Sequence, residues 1–396
     1  MKTAGVICEY NPFHNGHEYM LGEMRKRGVT HIVACMSGSF CQRGEAAVYD
    51  KYIRTRAALN GGADLVIELP VSFACAGAER FALGGVYLLN SLGCTDELYF
   101  GSECGKTELL ASLAEGLENE GIKKELHRGL DEGLTFAAAR QRAVGAVMGE
   151  KAAEALSEPN NTLAVEYIRA IRKTGSGMMP CTVRRRGASH DGNEVSEGFA
   201  GAKYIRERIN AGESIKELVP EKAFEIYSAS EFPPSTGGRM KKLEPMIMYR
   251  LRMMDEKMYA SLPDISEGLE NRIMSAVRAS ADLEELIGRI KTKRYTRARI
   301  NRLLMYALLG ISRNDLSEAP SYIHVLGFNK RGSEVLKIAK KTASVPVIMK
   351  YGDIRACSEN IKREFMLEAR ADDIFALTSA PPGICGQLMS HKIEIL

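Results

Sequence analysis

Two histidines, His14 and His17, stand three residues apart in the stretch Glu9-Tyr10-Asn11-Pro12-Phe13-His14-Asn15-Gly16-His17. Imidazoles at that spacing point the same way if a helix begins near Asn15. A helix start also carries unpaired amide N–H groups and partial positive charge, which suit an anion such as a phosphate. Pro12 stiffens the turn, and Gly16 lets backbone or ligand come close where a side chain would obstruct. The chemistry these groups could do is stabilisation of negative charge on phosphate oxygens by donors already aimed at them. The plainer alternative is two ordinary histidines in a turn.

The flanking residues supply the elements such a site needs. Lys2 to Cys8 is a short apolar run that reads as a buried strand. After the histidines, Met20, Leu21 and Met24 recur at helical spacing, the last turn is basic, and Gly28 sits where a helix stops. Further apolar runs at 30–38, 64–70 and 95–100 alternate with helical patterns at 51–59 and 78–92, which predicts a parallel sheet with right-handed crossovers. Asp50 caps the first of those helices and Gly61-Gly62 ends it. Lys51, Arg54 and Arg56 read as a solvated basic face, whereas Arg43, in the polar loop 39–45, is a phosphate candidate. Gly101, after the fourth strand, would let adenine or ribose lie against backbone; a plain turn glycine is the alternative.

At 396 residues the chain predicts two or three domains. No run of about eighteen apolar residues suggests a membrane span, and the first residues have no signal-peptide pattern. The 9 cysteines are scattered singly without Cys-x-x-Cys spacing, so no metal site is expected. They read as small core residues in a reducing cytoplasm. A formal charge of +4 is too small to mark the whole chain as a nucleic-acid binder, so any such surface is local.

Helices are expected through 107–171, with Asn160 or Asn161 capping the last. A strand then ends in Arg184-Arg185-Arg186, followed by a loop with His190-Asp191 and a helix opening at 197. A linker-like stretch covers 232–239. Beyond it the chain is mostly helical and carries one dense basic patch, Lys291, Lys293, Arg294, Arg297, Arg299 and Arg302, with Tyr295 among them. Cations and an aromatic together suit an RNA backbone and an unstacked base; a solvated helix face is the alternative. Strands at 322–328 and 344–349, with two helices, complete a smaller mixed unit, and His324 and His391 read as structural.

His14-Asn15-Gly16-His17 resembles the His-x-Gly-His signature of the nucleotidyltransferase superfamily. With Phe100-Gly101-Ser102-Glu103, Pro159-Asn160-Asn161, the arginine strand and the later segments 266–272 and 291–296, the order resembles the bacterial tRNA(Met) cytidine acetate ligase family. That resemblance implies ATP-dependent activation of acetate as acetyl-adenylate, with release of pyrophosphate. The acetyl group would then pass to N4 of the wobble cytidine of elongator tRNA(Met), releasing AMP. It places the ATP loop on Ile7, Cys8, Glu9, Tyr10, Asn11, Pro12, Phe13, His14, Asn15, Gly16, His17, Glu18, Tyr19 and Met20, with later contacts from Gly101, Asn160 or Asn161, and Arg185. One departure is Ala200-Gly201-Ala202-Lys203, where the superfamily has a hydroxyl-rich helix start; Arg206 remains, and Lys203 could serve as a substitute cation.

The expectation is therefore a Rossmann-like α/β nucleotidyltransferase domain over 1–230 and a mostly helical, RNA-engaging α+β region over 231–396. His14 and His17 are the catalytic candidates, Mg²⁺ would accompany the ATP phosphates, and Asp191 or Glu9 could act as general base. Elongator tRNA(Met) and acetate are the expected partners, with no membrane and no protein partner implied. The rivals are an adenylyltransferase acting on a small phosphorylated acceptor, and an RNA-binding protein with a degenerate nucleotide site.

Overall fold

Residues Thr3–Cys8 are all buried and form β1, an interior strand of the sheet. The computed structural model describes residues 1–186, 198–230, 238–266 and 268–396. Numbered in chain order, the other strands are β2 (His31–Ser37), β3 (Phe40–Cys41), β4 (Glu45–Ala46), β5 (Leu65–Leu69), β6 (Glu97–Ser102), β7 (Met179–Arg184), β8 (Ile323–Phe328), β9 (Val347–Ile348) and β10 (Glu394–Ile395). The main sheet runs β10-β8-β5-β2-β1-β6-β7, with β9 added to β8. Its β5-β2-β1-β6-β7 portion is parallel throughout. Strands buried on both faces must be apolar throughout, which is why β1 and β2 lack a polar alternation.

The connection after β1 runs to β2 on one side, while β6 lies on the other side of β1. In an open parallel sheet that reversal opens a crevice at the carboxyl ends of the strands. The helix α1 (Asn15–Lys26) starts there, directly after the histidine stretch. The helix α2 (Lys51–Asn60) follows the small β3–β4 hairpin and is capped by Asp50, whose carboxylate accepts from Tyr52 and Ile53 N–H. Gly44, at the hairpin tip, has φ +72°, and a Cβ there would strike Asn301 and Arg302 backbone at 2.4 Å. The hairpin thus packs against the helix Arg297–Leu309.

Several expectations are corrected. The strand expected in a separate mixed unit, β8, pairs antiparallel with β5 and extends the main sheet, so the sheet draws on both sides of residue 230. Pairing so distant in sequence leaves no local pattern to read. Gly101 lies inside β6, one residue before its end. The helix Pro159–Lys173 has Glu158 at its cap position, with neither Asn160 nor Asn161 capping it. The linker at 232–239 lies largely outside the described residues, and the helix Gly238–Met253 contains its last two positions. Among the described residues no helix is long and apolar enough to cross a membrane.

Lys51, expected at a solvated face, is buried. Its Nζ lies 2.6 Å from Glu68 and 2.7 Å from Asp372. His324 Nδ1 is 2.6 Å from the other Glu68 oxygen, and Ser39 Oγ donates to Asp372. Burial alone would raise the Glu68 carboxyl; Lys51 and His324 outweigh it and hold that group below its ordinary value. The network ties α2 and β5 to β8 and to the helix Glu359–Ala376. Removing its central cation leaves two buried carboxylates without their shared counter-charge, with His324 remaining beside Glu68 alone. Lys51→Met should therefore lower unfolding free energy by about 3–5 kcal/mol in urea titrations, and a loss under about 1 kcal/mol would contradict this account of the network.

Candidate functional site

The loop between β1 and α1 is held from below by Arg54, which is fully buried. Its Nη1 donates to the carbonyls of Glu9 (2.6 Å) and Ser37 (3.0 Å), its Nε to that of Tyr49 (3.0 Å), and its Nη2 to that of Gly38. One guanidinium thereby fixes the ends of β1 and β2 and the start of α2. Asn11 ties the same loop sideways: its Oδ1 accepts from Val48 N–H (2.8 Å), and its carbonyl accepts from Arg206 (3.1 Å). Tyr227 supports it from behind, accepting from Phe13 N–H (2.9 Å) and donating to the Phe13 carbonyl (3.3 Å). Tyr10, at φ +46°, is 1% exposed and turns its ring toward Phe13 and His17.

On this base the two histidines form a reciprocal cap. His14 precedes α1, and its Nδ1 accepts from Gly16 N–H (3.1 Å), while its own N–H donates to His17 Nδ1 (3.2 Å). The rings stack with centroids 3.7 Å apart. A Cβ on Gly16 would lie 2.9 Å from the His14 ring, so a side chain there would displace it. With both Nδ1 atoms accepting, the proton of each neutral ring sits on Nε2, leaving two Nε2–H donors for a ligand. Burial, with Arg185 and Arg206 adding to it, lowers the His14 pKa to about 3. Burial, then His14 and Arg185, lower that of His17.

Gly101 and Arg185 lie together, since a Cβ on Gly101 would meet Arg185 Cγ at 3.3 Å. Beside them Glu103 occupies the start of the helix Pro159–Lys173. It accepts from Asn160 Nδ2 (2.6 Å) and from the N–H of Asn160 (3.3 Å) and Asn161 (2.8 Å). Asn161 returns the contact, accepting from the N–H of Glu103 (3.0 Å) and Cys104 (3.2 Å) while donating to the Ala155 carbonyl. Asn161 is 2% exposed and holds the β6 turn, whereas Asn160 is half-buried. In this cluster a carboxylate, rather than an asparagine, satisfies the helix start.

Other candidates fall elsewhere. Lys203 is exposed and lies 3.7 Å from Glu207 on its own helix. Arg43 is exposed on the β3–β4 hairpin. Glu9 accepts from Gln42 N–H at 2.8 Å, and Asp191 lies outside the described residues. In the basic patch Lys291, Lys293 and Arg294 are exposed, but Arg297 pairs with Glu284, and Arg299 donates to the Asp264 carbonyl and Ser266. Tyr295 is buried in the helical core beneath Arg299 and offers no stacking face, a correction to the expected aromatic platform. Sequence reasoning missed Arg54, Tyr227 and the clamping role of Glu103; only Glu103 lay in a quoted motif.

Because the folded His14 value lies below the ordinary one, its stability contribution is complete above about pH 6.5 and is lost as pH falls toward 3. Nitrogen-15 NMR of the ligand-free protein at pH 5.5 should therefore show both rings neutral with the proton on Nε2; a doubly protonated His14 there would contradict the geometry.

The HIGH Nucleotidyl Transferase family model matches residues 1–384. The tRNA(Met) cytidine acetate ligase of Acetivibrio thermocellus is 37% identical over 416 residues, covering 100% of both chains. That of Thermoanaerobacter sp. is 38% identical over 401 residues and 99% of each. The crystal structure of Thermotoga maritima TmcAL in its apo form superposes with a TM-score of 0.93 at 30% identity, and the form bound with alpha-thio ATP with 0.91 at 29%, each over 100% of both chains. Both the sequence match and the superposition run along the whole length, and the chain belongs to the tRNA(Met) cytidine acetate ligase family of HIGH nucleotidyl transferases.

Proposed function

We propose that this protein is an ATP-dependent ligase that forms acetyl-adenylate and acetylates N4 of the wobble cytidine of elongator tRNA(Met). The observation that carries this reading is the stacked pair His14–His17, kept neutral chiefly by burial, with each Nε2–H left to donate, Arg185 near both rings and Arg206 near His14. The relatives that bear this name match the full chain, and one solved relative binds alpha-thio ATP.

In the first step an acetate oxygen attacks the α-phosphorus in line. The new O–P bond forms as the bridging bond to the β-phosphate breaks, and pyrophosphate leaves with the electron pair. Negative charge grows on the α-phosphate oxygens and on the leaving group. Two neutral N–H donors and two arginines meet that charge without reorganising. The proposed ATP contacts are residues 7–20, Gly101, Asn160 and Arg185, with Asn161 acting through the turn it holds. Among the described residues no three His, Cys, Asp or Glu side chains cluster as a metal cage, so no step is assigned to a protein-held metal. Mg²⁺ would arrive on the ATP phosphates.

In the second step the cytidine amine attacks the acetyl carbonyl, the C–O bond to AMP breaks, and the amine proton passes to a base. Glu9 is the described candidate for that base, being fixed by Gln42 N–H next to the loop. The cytidine must leave its stack to reach the carbonyl. Exposed Lys291, Lys293 and Arg294, with Arg297 and Arg299, would meet tRNA phosphates.

Incubation of the protein with ATP, labelled acetate and unmodified tRNA(Met), followed by mass spectrometry of the nucleosides, should yield labelled N4-acetylcytidine. His17→Ala should reduce its rate by about 10²-fold or more. Turnover of a small phosphorylated acceptor with no labelled nucleoside would replace this reading with the adenylyltransferase.

A further inference from the structure

The aromatic that the sequence offered to RNA, Tyr295, is buried, yet the helical region exposes another. Tyr249, on the helix Gly238–Met253, is 68% exposed and is the exposed aromatic beyond residue 238 among the described residues. Met253, one turn further on, is 62% exposed. Together with Lys241, Pro245 and Arg252 they line an open groove of about 600 Å³. These positions recur at helical spacing, so one face carries them all. The opposite face of the helix is spoken for: Leu243, Ile247 and Leu251 pack into the core with Phe40, Cys41 and Ala46 of the hairpin.

The charges in the groove favour a polyanion. Lys241 is a cation at its edge, and Arg252 has, among the described residues, one long bond of 3.4 Å to the Ser280 carbonyl. The single acid lining it, Glu244, accepts from Leu283 N–H at 3.1 Å and so faces the helix start behind. A large aromatic left in water between cations suits a stacked base with its phosphates on either side.

The helix also links the groove to the site. At its start, Arg239 donates to the Val48 carbonyl (2.9 Å), and Val48 N–H donates to Asn11 of the histidine loop (2.8 Å). Tyr249 lies ten residues further, a rise of ~15 Å along the helix axis. A single strand with one base in the site would reach this face with an unpaired base several nucleotides away.

We infer that Tyr249, flanked by Lys241 and Arg252, is a stacking platform for an unpaired nucleotide of the RNA substrate; this rests on the proposed tRNA reading. Binding of unmodified tRNA(Met) is measured by fluorescence anisotropy across a salt series, with circular dichroism melting to check each variant's fold. Tyr249→Ala should weaken binding about 5- to 150-fold, and Tyr249→Trp should restore it. Lys241→Glu should weaken binding and flatten the salt dependence. If wild type binds and Tyr249→Ala binds equally well, the platform is wrong while the tRNA reading stands. If wild type binds no tRNA, both fall. If Tyr249→Ala changes the sedimenting mass and leaves tRNA affinity alone, the groove joins two copies of the chain and the inference is overturned.

Discussion

A single buried guanidinium sets the geometry on which the site depends. Arg54 is fully buried and meets backbone carbonyls from three segments, the ends of β1 and β2 and the residue before the Asp50 cap. Among the described residues it pairs with no carboxylate. A cation held this way is costly to bury, and it is tolerated only because every donor it turns inward finds an oxygen. The converse also holds: the same guanidinium supplies a donor to four carbonyls, those of Glu9, Ser37, Gly38 and Tyr49. Removing the guanidinium would release three loops at once, and with them the frame that stacks His14 on His17.

The histidines themselves are kept neutral by the same burial, and that is useful for phosphate chemistry. A charged pair of rings 3.7 Å apart would repel and would have to be desolvated. A neutral pair with its Nδ1 atoms already occupied has only one way to donate, through Nε2. Further down the sheet, Lys51 performs a different task from its neighbour Arg54. It is balanced by Glu68 and Asp372, and it binds the C-terminal helix Glu359–Ala376 to the strand end beneath the hairpin. The C-terminal residues are therefore part of the platform under the site.

Much of this was legible in the sequence because it is local. The strand before the histidines, the helix after them, the Asp50 cap and the parallel rhythm each follow from short-range pattern and are all present. What was not legible is tertiary. A lysine and an arginine in the first turns of a helix read as solvated until one knows that strand ends surround them. Tyr295 among six cations reads as an exposed aromatic until Ile300, Leu303 and the neighbouring helices close over it. Asn160 and Asn161 are good capping residue types, but Glu103, distant in sequence, reaches the helix start first. The antiparallel join of β8 to β5 spans more than two hundred and fifty residues and leaves no periodic trace.

If Arg54 preorganises the histidine loop for adenylate chemistry, loss of its guanidinium must slow adenylate formation. Acetate-dependent exchange of labelled pyrophosphate into ATP tests it without requiring tRNA. Arg54→Lys and Arg54→Met are compared with wild type after circular dichroism has verified that each variant is folded. The account predicts a folded Arg54→Met protein with exchange reduced by about 10²-fold or more, because displaced donors no longer meet the transition-state charge, and a partial recovery in Arg54→Lys. Exchange within twofold of wild type in folded Arg54→Met would contradict it.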